Sequence, residues 1–177
     1  LLPPDGYLHA VREICRTHGV LFVADEVICG YGRVGDWFAC GRAGIDPDAV
    51  TFAKGITSGY VPLGGVIVGK TIQEPFWNSA AAGVWRHGYT YAGHTTSAAV
   101  GLANLDVIER EGLVDAVAGL EGELVEALAP LAEHELVSEV RSGVGLLAAV
   151  QLADPKLVDR AVAAAREQGI LTRALQS

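Results

Sequence analysis

The chain has 177 residues, half of them hydrophobic, and its 13 basic and 21 acidic residues give a formal net charge of −8. That balance suits an α/β protein with a sizeable core. With no basic run it makes nucleic acid and anionic membranes poor partners, and no apolar run approaches the ~20 residues that span a bilayer.

Cys15, Cys29 and Cys40 are odd in number and far apart. They form neither a disulfide framework nor a metal-ligand pair, so a reducing cytoplasm is expected. The five histidines show no HExxH spacing, and no metal site is expected. No methionine occurs anywhere and no signal peptide opens at Leu1. Leu1-Leu2-Pro3-Pro4 reads as the inside of a loop, so the chain is expected to be a segment of a longer protein.

In chain order, Asp5 is a candidate cap for a helix over Tyr7–His18, where Leu8, Val11, Ile14 and Cys15 recur at helical spacing. Gly19 stands where a glycine ends a helix. An apolar strand follows at Leu21–Ala24, then a glycine-rich loop over 30–35. A second apolar strand is predicted at Ala49–Ala53, and a third at Gly64–Val68. Residues 74–83 read as a mixed segment, and His87–His94 as a loop at a site or interface. Thr95 or Thr96 is a candidate cap for the helix that runs to about Glu111. A second helix over Leu113–Ala132 is predicted to kink near Pro130. Leu136–Val140 and Leu146–Leu152 read as strands, Lys156–Gln168 as a helix stopped by Gly169, and Ile170–Thr172 as the start of a strand. The organisation expected is an α/β fold, with residues 1–108 as part of a large domain and 109–177 as part of a small α+β domain.

The first two strands each end on a charge, Asp25 and Lys54. Strands apolar at every position are usually covered on both faces, as in parallel sheets, and in such sheets ligands collect at the carboxyl ends. A carboxylate and an amine are therefore expected to face one crevice. Lys54 is one of only three lysines in the chain. An amine of lowered pKa attacks an aldehyde, and an aspartate keeps a ring nitrogen protonated. A buried Asp–Lys salt bridge accounts for the same spacing.

The stretch Asp25-Glu26-Val27-Ile28-Cys29-Gly30-Tyr31-Gly32-Arg33-Val34-Gly35-Asp36-Trp37-Phe38-Ala39 resembles the aspartate motif of class III (omega-type) aminotransferases. Phe52-Ala53-Lys54-Gly55-Ile56-Thr57-Ser58-Gly59 and its continuation to Gly65 resemble their lysine motif. His87–His94 and Val140–Leu147 resemble two further motifs, in the same order. The resemblance implies a pyridoxal-phosphate enzyme of fold type I, with a mostly parallel sheet and helices in the large domain. Asp25 would pair with the pyridinium nitrogen and Val27 would cover one ring face. Lys54 would carry the internal aldimine and then move the proton. Thr90 would reach the phosphate of a neighbouring subunit, so a homodimer is implied. The reaction implied is ping-pong transfer of an amino group between an amine or amino acid and a keto acid. Omega-amino acids, diamines and simple amines all remain open as donors. The chain departs from the family at Thr95, where a proline is common. The family's glycine-rich phosphate turn and the aromatic of the other ring face belong to an N-terminal half not in this sequence, and Arg173 is given no substrate role.

Two alternatives come from other classes. Gly64-Gly65-Val66-Ile67-Val68-Gly69-Lys70-Thr71 fits GxxxxGK[ST] and suggests a P-loop NTPase. Against it, Val66-Ile67-Val68 is strand-like where a phosphate loop should be, and Pro75 should interrupt the helix that follows. The other alternative is a structural fragment whose apolar surface awaits partners, with little or no activity of its own.

Overall fold

The computed structural model describes residues 3–78 and 83–175. The loop expected at Leu1-Leu2 and the later part of the mixed segment, 79–82, lie outside them. The chain divides into two compact units, Leu1–Gly119 and Leu120–Ser177.

In the first unit, α1 spans Tyr7–Thr17. Asp5 does not cap it: Gly6 is the N-cap, and the Tyr7 N–H is already held by the Pro4 carbonyl at 3.1 Å. At the other end Gly19 takes φ +64°, and Val20 N–H donates back to the Cys15 carbonyl at 2.8 Å. That is the glycine-closed helix end expected from the sequence.

A three-stranded sheet follows in the order β1 (Val23–Asp25), β2 (Ala49–Phe52), β3 (Gly65–Val68). β1 begins two residues later than predicted. Asp48 occupies the entrance, its Oδ2 accepting from Phe22 N–H at 2.8 Å and its own N–H donating to the Phe22 carbonyl at 2.8 Å. Arg12 of α1 reaches the same Oδ2 at 2.9 Å, which ties helix and sheet together. β1 and β2 are parallel, whereas β2 and β3 are antiparallel. The twelve-residue connection from β2 to β3 carries only a 3₁₀ turn, at Lys54–Thr57, and no crossover helix of the kind that joins parallel strands. Cover on both faces is not found among the described residues: Val23 is 52% exposed, Val66 57% and Ile67 49%.

The P-loop alternative fails here. Gly65–Val68 is strand β3, its main chain paired to Ala49–Phe52, so it cannot wrap phosphates. One argument against that alternative also needs correcting. Helix α3 (Lys70–Asn78) runs through Pro75 instead of ending before it; it gives up one main-chain bond there.

α2 (Ala39–Arg42) is a single turn within the loop after β1, and α4 spans Thr95–Arg110. Neither threonine caps α4. His94 does, its Nδ1 accepting from Ser97 N–H at 3.2 Å. Thr95 therefore stands at the first helical position, where a proline is also well suited.

α5 (Leu113–Leu128) ends just before a 3₁₀ turn at Ala129–Glu133 that holds Pro130. In the second unit β4 (Val137–Val144) and β5 (Leu147–Leu152) form a hairpin. β4 extends past the predicted end at Val140 because Gly143, at φ +94°, absorbs a bulge between Arg141 and Val144. Asp154 caps the turn into α6 (Val158–Glu167) by accepting from Lys156 N–H at 2.9 Å. The strand expected at Ile170–Thr172 is not formed. Ile170 is 60% and Leu171 85% exposed, and neither pairs with another strand among the described residues. No helix among the described residues is long and apolar enough to cross a membrane.

The Asp48 carboxyl is held below its ordinary value of 3.8, first by the Phe22 N–H and further by Arg12. A depressed carboxylate stabilises the fold fully above its unfolded pKa, and that contribution is lost as pH falls through the folded value. Asp48→Asn should therefore lower the melting temperature at pH 7. The difference between variant and parent should shrink as pH falls below about 4, as thermal unfolding at stepped pH will test.

Candidate active site

The parallel register sets Asp25 opposite Thr51. The Thr51 hydroxyl donates to Asp25 Oδ1 at 3.2 Å, and Val27 N–H donates to the same oxygen at 3.1 Å. The carboxylate is thus oriented through one oxygen, and Oδ2 makes no hydrogen bond among the described residues. Val27 is half-buried and begins the turn that carries the loop away from the strand.

Lys54 follows β2 by two residues, on the same carboxyl edge, and opens a 3₁₀ turn at Lys54–Thr57. Its φ is +46°, in the left-handed region that a lysine enters at a cost of roughly 1–2 kcal/mol. Strain of that kind gathers where a side chain must be presented in one direction. The amine makes no hydrogen bond or ion pair among the described residues. Asp25 and Lys54 are both exposed, so the buried salt bridge considered above is not formed. A cavity of about 330 Å³ in this unit is lined by the 35–37 loop and the α4–α5 turn, and includes neither residue. The pair stands on an open sheet edge.

Two braces hold the loops that carry these groups. Tyr31, at φ +61°, sets its ring edge-on to Phe38 at 5.4 Å and to Phe52 at 5.9 Å. Gly55 lies so close beneath it that an added Cβ would be 3.1 Å from Tyr31 Cβ and 3.3 Å from the Gly30 carbonyl. A side chain at Gly55 would push the aspartate loop and the lysine turn apart by a few tenths of an ångström. Burial pushes the Tyr31 phenol up to about 12. The second brace comes from α4. Asn104 Nδ2 donates to the carbonyls of Gly55 at 2.9 Å and Ile56 at 3.2 Å, while its Oδ1 accepts from the Ser58 hydroxyl at 2.7 Å.

Glu26 is 3% exposed and serves the loop. Its carboxylate accepts from Ala39 N–H at 2.9 Å and Cys40 N–H at 2.7 Å, closing the start of α2. Thr90 lies in an exposed turn, where Ala92 N–H donates to the Tyr89 carbonyl at 2.9 Å. No hydrogen bond joins it to Asp25 or Lys54. Sequence reasoning missed Glu26, Asn104 and Ser58. Glu26 is served by residues 13 and 14 positions away, which no local spacing reveals. A polar residue between Ala103 and Leu105, in an otherwise apolar helical run, was the available signal for Asn104.

The family model described as aminotransferase class-III matches residues 1–177. An uncharacterised aminotransferase, YhxA, of Bacillus subtilis is 41% identical over 97% of this chain and 40% of its own length. An (S)-enantioselective omega-transaminase from Thermomicrobium roseum is 42% identical, with a TM-score of 0.90 over 98% of this chain and 41% of its own. A taurine:2-oxoglutarate aminotransferase from Bifidobacterium kashiwanohense, solved with pyridoxal phosphate and glutamate, is 34% identical, with a TM-score of 0.89 over 99% of this chain and 42% of its own. The chain thus spans about two-fifths of the length of these relatives.

Cys40 sits beside the Glu26 carboxylate, and burial first, then that neighbour, pushes its thiol up to about 11. A raised thiol pKa favours the neutral form, so its contribution to stability is full below pH 9 and is lost as pH rises toward 11. At pH 8, iodoacetamide should alkylate Cys40 about a hundredfold more slowly in the folded protein than in the denatured one, from the thiolate fraction alone. Equal rates by peptide mass spectrometry would contradict this environment.

Proposed function

The chain belongs to the class-III aminotransferases, and from that premise we propose that it forms part of a pyridoxal-phosphate-dependent aminotransferase. The reaction passes an amino group between an amine or amino acid and a keto acid. Omega-amino acids, diamines and simple amines are the donor classes the proposal admits. The observation that carries it is the edge formed by β1 and β2. There, among the described residues, Asp25 keeps one oxygen without a hydrogen-bond partner, and Lys54 presents an unpaired amine from a strained turn.

This donor set fits the cofactor. When bound, pyridoxal phosphate supplies an aldehyde and a ring that draws electrons from the substrate carbon. Asp25 Oδ2 is suited to accept from a ring N–H, and its negative charge holds that proton in place. Thr51 and Val27 fix the other oxygen and so aim the carboxylate. Lys54 Nζ would hold the cofactor as the nucleophile toward its aldehyde, and as a free amine it would take the substrate proton and return it. Val27 would exclude water from one ring face.

Thr90 we assign to the phosphate of a neighbouring subunit. The exposure of Tyr89 at 77% and Tyr91 at 81% beside it supports a contact between subunits, and hence a homodimer. Residues 1–108 are proposed as part of the cofactor-binding large domain and 109–177 as part of the small domain. The three free cysteines support a reducing compartment, and we place the protein in the cytoplasm.

Borohydride reduction of the whole protein with pyridoxal phosphate should label Lys54, read by peptide mass. Lys54→Ala labelled as strongly as wild type would overturn the assignment. Asp25→Asn should retain cofactor binding but slow turnover by about a hundredfold or more, through loss of one charge-assisted contact. Unchanged kcat would remove Asp25 from its role. This chain by itself should be weakly active or inactive, and robust turnover by the purified 177-residue chain would argue against shared, larger sites.

A further inference from the structure

The turn that begins at Lys54 is held by one side chain distant in sequence. Carbonyls can only accept hydrogen bonds, so the Asn104 amide nitrogen must face Gly55 and Ile56, and its oxygen is left for the Ser58 hydroxyl. One planar group thereby fixes three points of the five residues 54–58. Both ends of that turn are strained: Lys54 at φ +46° and Ser58 at φ +49°. Neither residue would keep a left-handed backbone without surroundings that impose it.

The helix that carries Asn104 is placed for this work. Gly101, one turn earlier on α4, is buried against the same turn. A Cβ there would lie 3.0 Å from Leu63 Cδ2 and 3.6 Å from Ile56 Cγ1. Ile56 is itself 6% exposed, and Thr57, 1% exposed, anchors the turn from beneath by donating to the Val61 carbonyl at 2.7 Å. Close packing through Gly101 brings the Asn104 amide within reach of the two carbonyls.

We propose that Asn104 is the positioning residue for Lys54: its amide locks the 54–58 turn in the strained conformation that presents the lysine amine. The importance of that presentation for turnover rests on the aminotransferase assignment, whereas the locking does not. Asn104 touches no reacting atom. It acts through the backbone of Gly55 and Ile56.

The test uses the whole protein that carries this chain, with Asn104→Ala, Asn104→Asp and Ser58→Ala. The aspartate keeps the shape but loses both donors. Without cofactor, hydrogen exchange is followed by mass spectrometry on peptides covering 53–59 and 22–25. Both Asn104 variants should raise exchange in 53–59 about tenfold or more, as expected for two lost hydrogen bonds, and leave 22–25 unchanged. Ser58→Ala should do less. With cofactor, both Asn104 variants should lower kcat by about 10- to 100-fold while KM stays within about threefold, as for a misplaced reacting group.

Unchanged exchange in 53–59 would overturn the proposal, and so would an equal rise in both peptides, since that marks general loosening. Normal kcat in Asn104→Asp would do the same. A wild-type protein that takes up no pyridoxal phosphate at Lys54 would instead refute the aminotransferase assignment, and the exchange result would still decide the role of Asn104.

Discussion

The structure depends on the parallel pairing of two short strands. Val23–Asp25 lies beside Ala49–Phe52 in a register that puts Asp25 opposite Thr51. Parallel strands end at the same edge, so whatever each strand delivers at its carboxyl end is delivered side by side. A slip of one residue would send Asp25 to the other face and break the Thr51 hydroxyl contact to its carboxylate. Asp48 guards that register from the far end. It binds Phe22 N–H at the entrance to β1 and is itself held by Arg12. A buried acid at one end of the strand pair thus sets the place of an exposed acid at the other.

Around this edge the chain spends its irregular backbone. Tyr31, Lys54 and Ser58 are the non-glycine residues with positive φ among those described, and all three lie in the two loops that follow β1 and β2. Each is held by tight packing or by a side chain from another element. Tyr31 is wedged between Phe38 and Phe52 above Gly55. Lys54 and Ser58 bracket the turn that Asn104 ties down. Glu26, beside Asp25 in sequence, turns inward to close α2, and Asp25 stays outward. Two adjacent carboxylates have opposite tasks: Glu26 is buried with both oxygens on N–H donors, whereas Asp25 is exposed and engaged through one oxygen.

Much of this was legible in the chain itself. Periodicity located α1 and α4, and the glycines at 19 and 169 end helices where expected. The two charges at the strand ends marked the candidate site. What sequence could not yield were features decided by distant partners. The entrance to β1 is set by Asp48, the cap of α4 is an imidazole in place of a threonine hydroxyl, and β4 continues through a glycine bulge. Ile170–Thr172 has the composition of a strand, yet a strand needs an edge to pair with, and composition cannot supply one. The GxxxxGK[ST] match shows the converse error: its spacing is satisfied, but its residues are already committed to a ladder with β2.

The central claim is that Asp25 and Lys54 serve one aromatic ring from adjacent strand ends. A crystal structure of the whole protein grown with pyridoxal phosphate tests it most directly. The account predicts continuous density from Lys54 Nζ to the cofactor and the ring nitrogen about 2.8 Å from Asp25 Oδ2, with Thr51 still on Oδ1. A cofactor bound with its ring nitrogen away from Asp25, or attached to a different lysine, would contradict it.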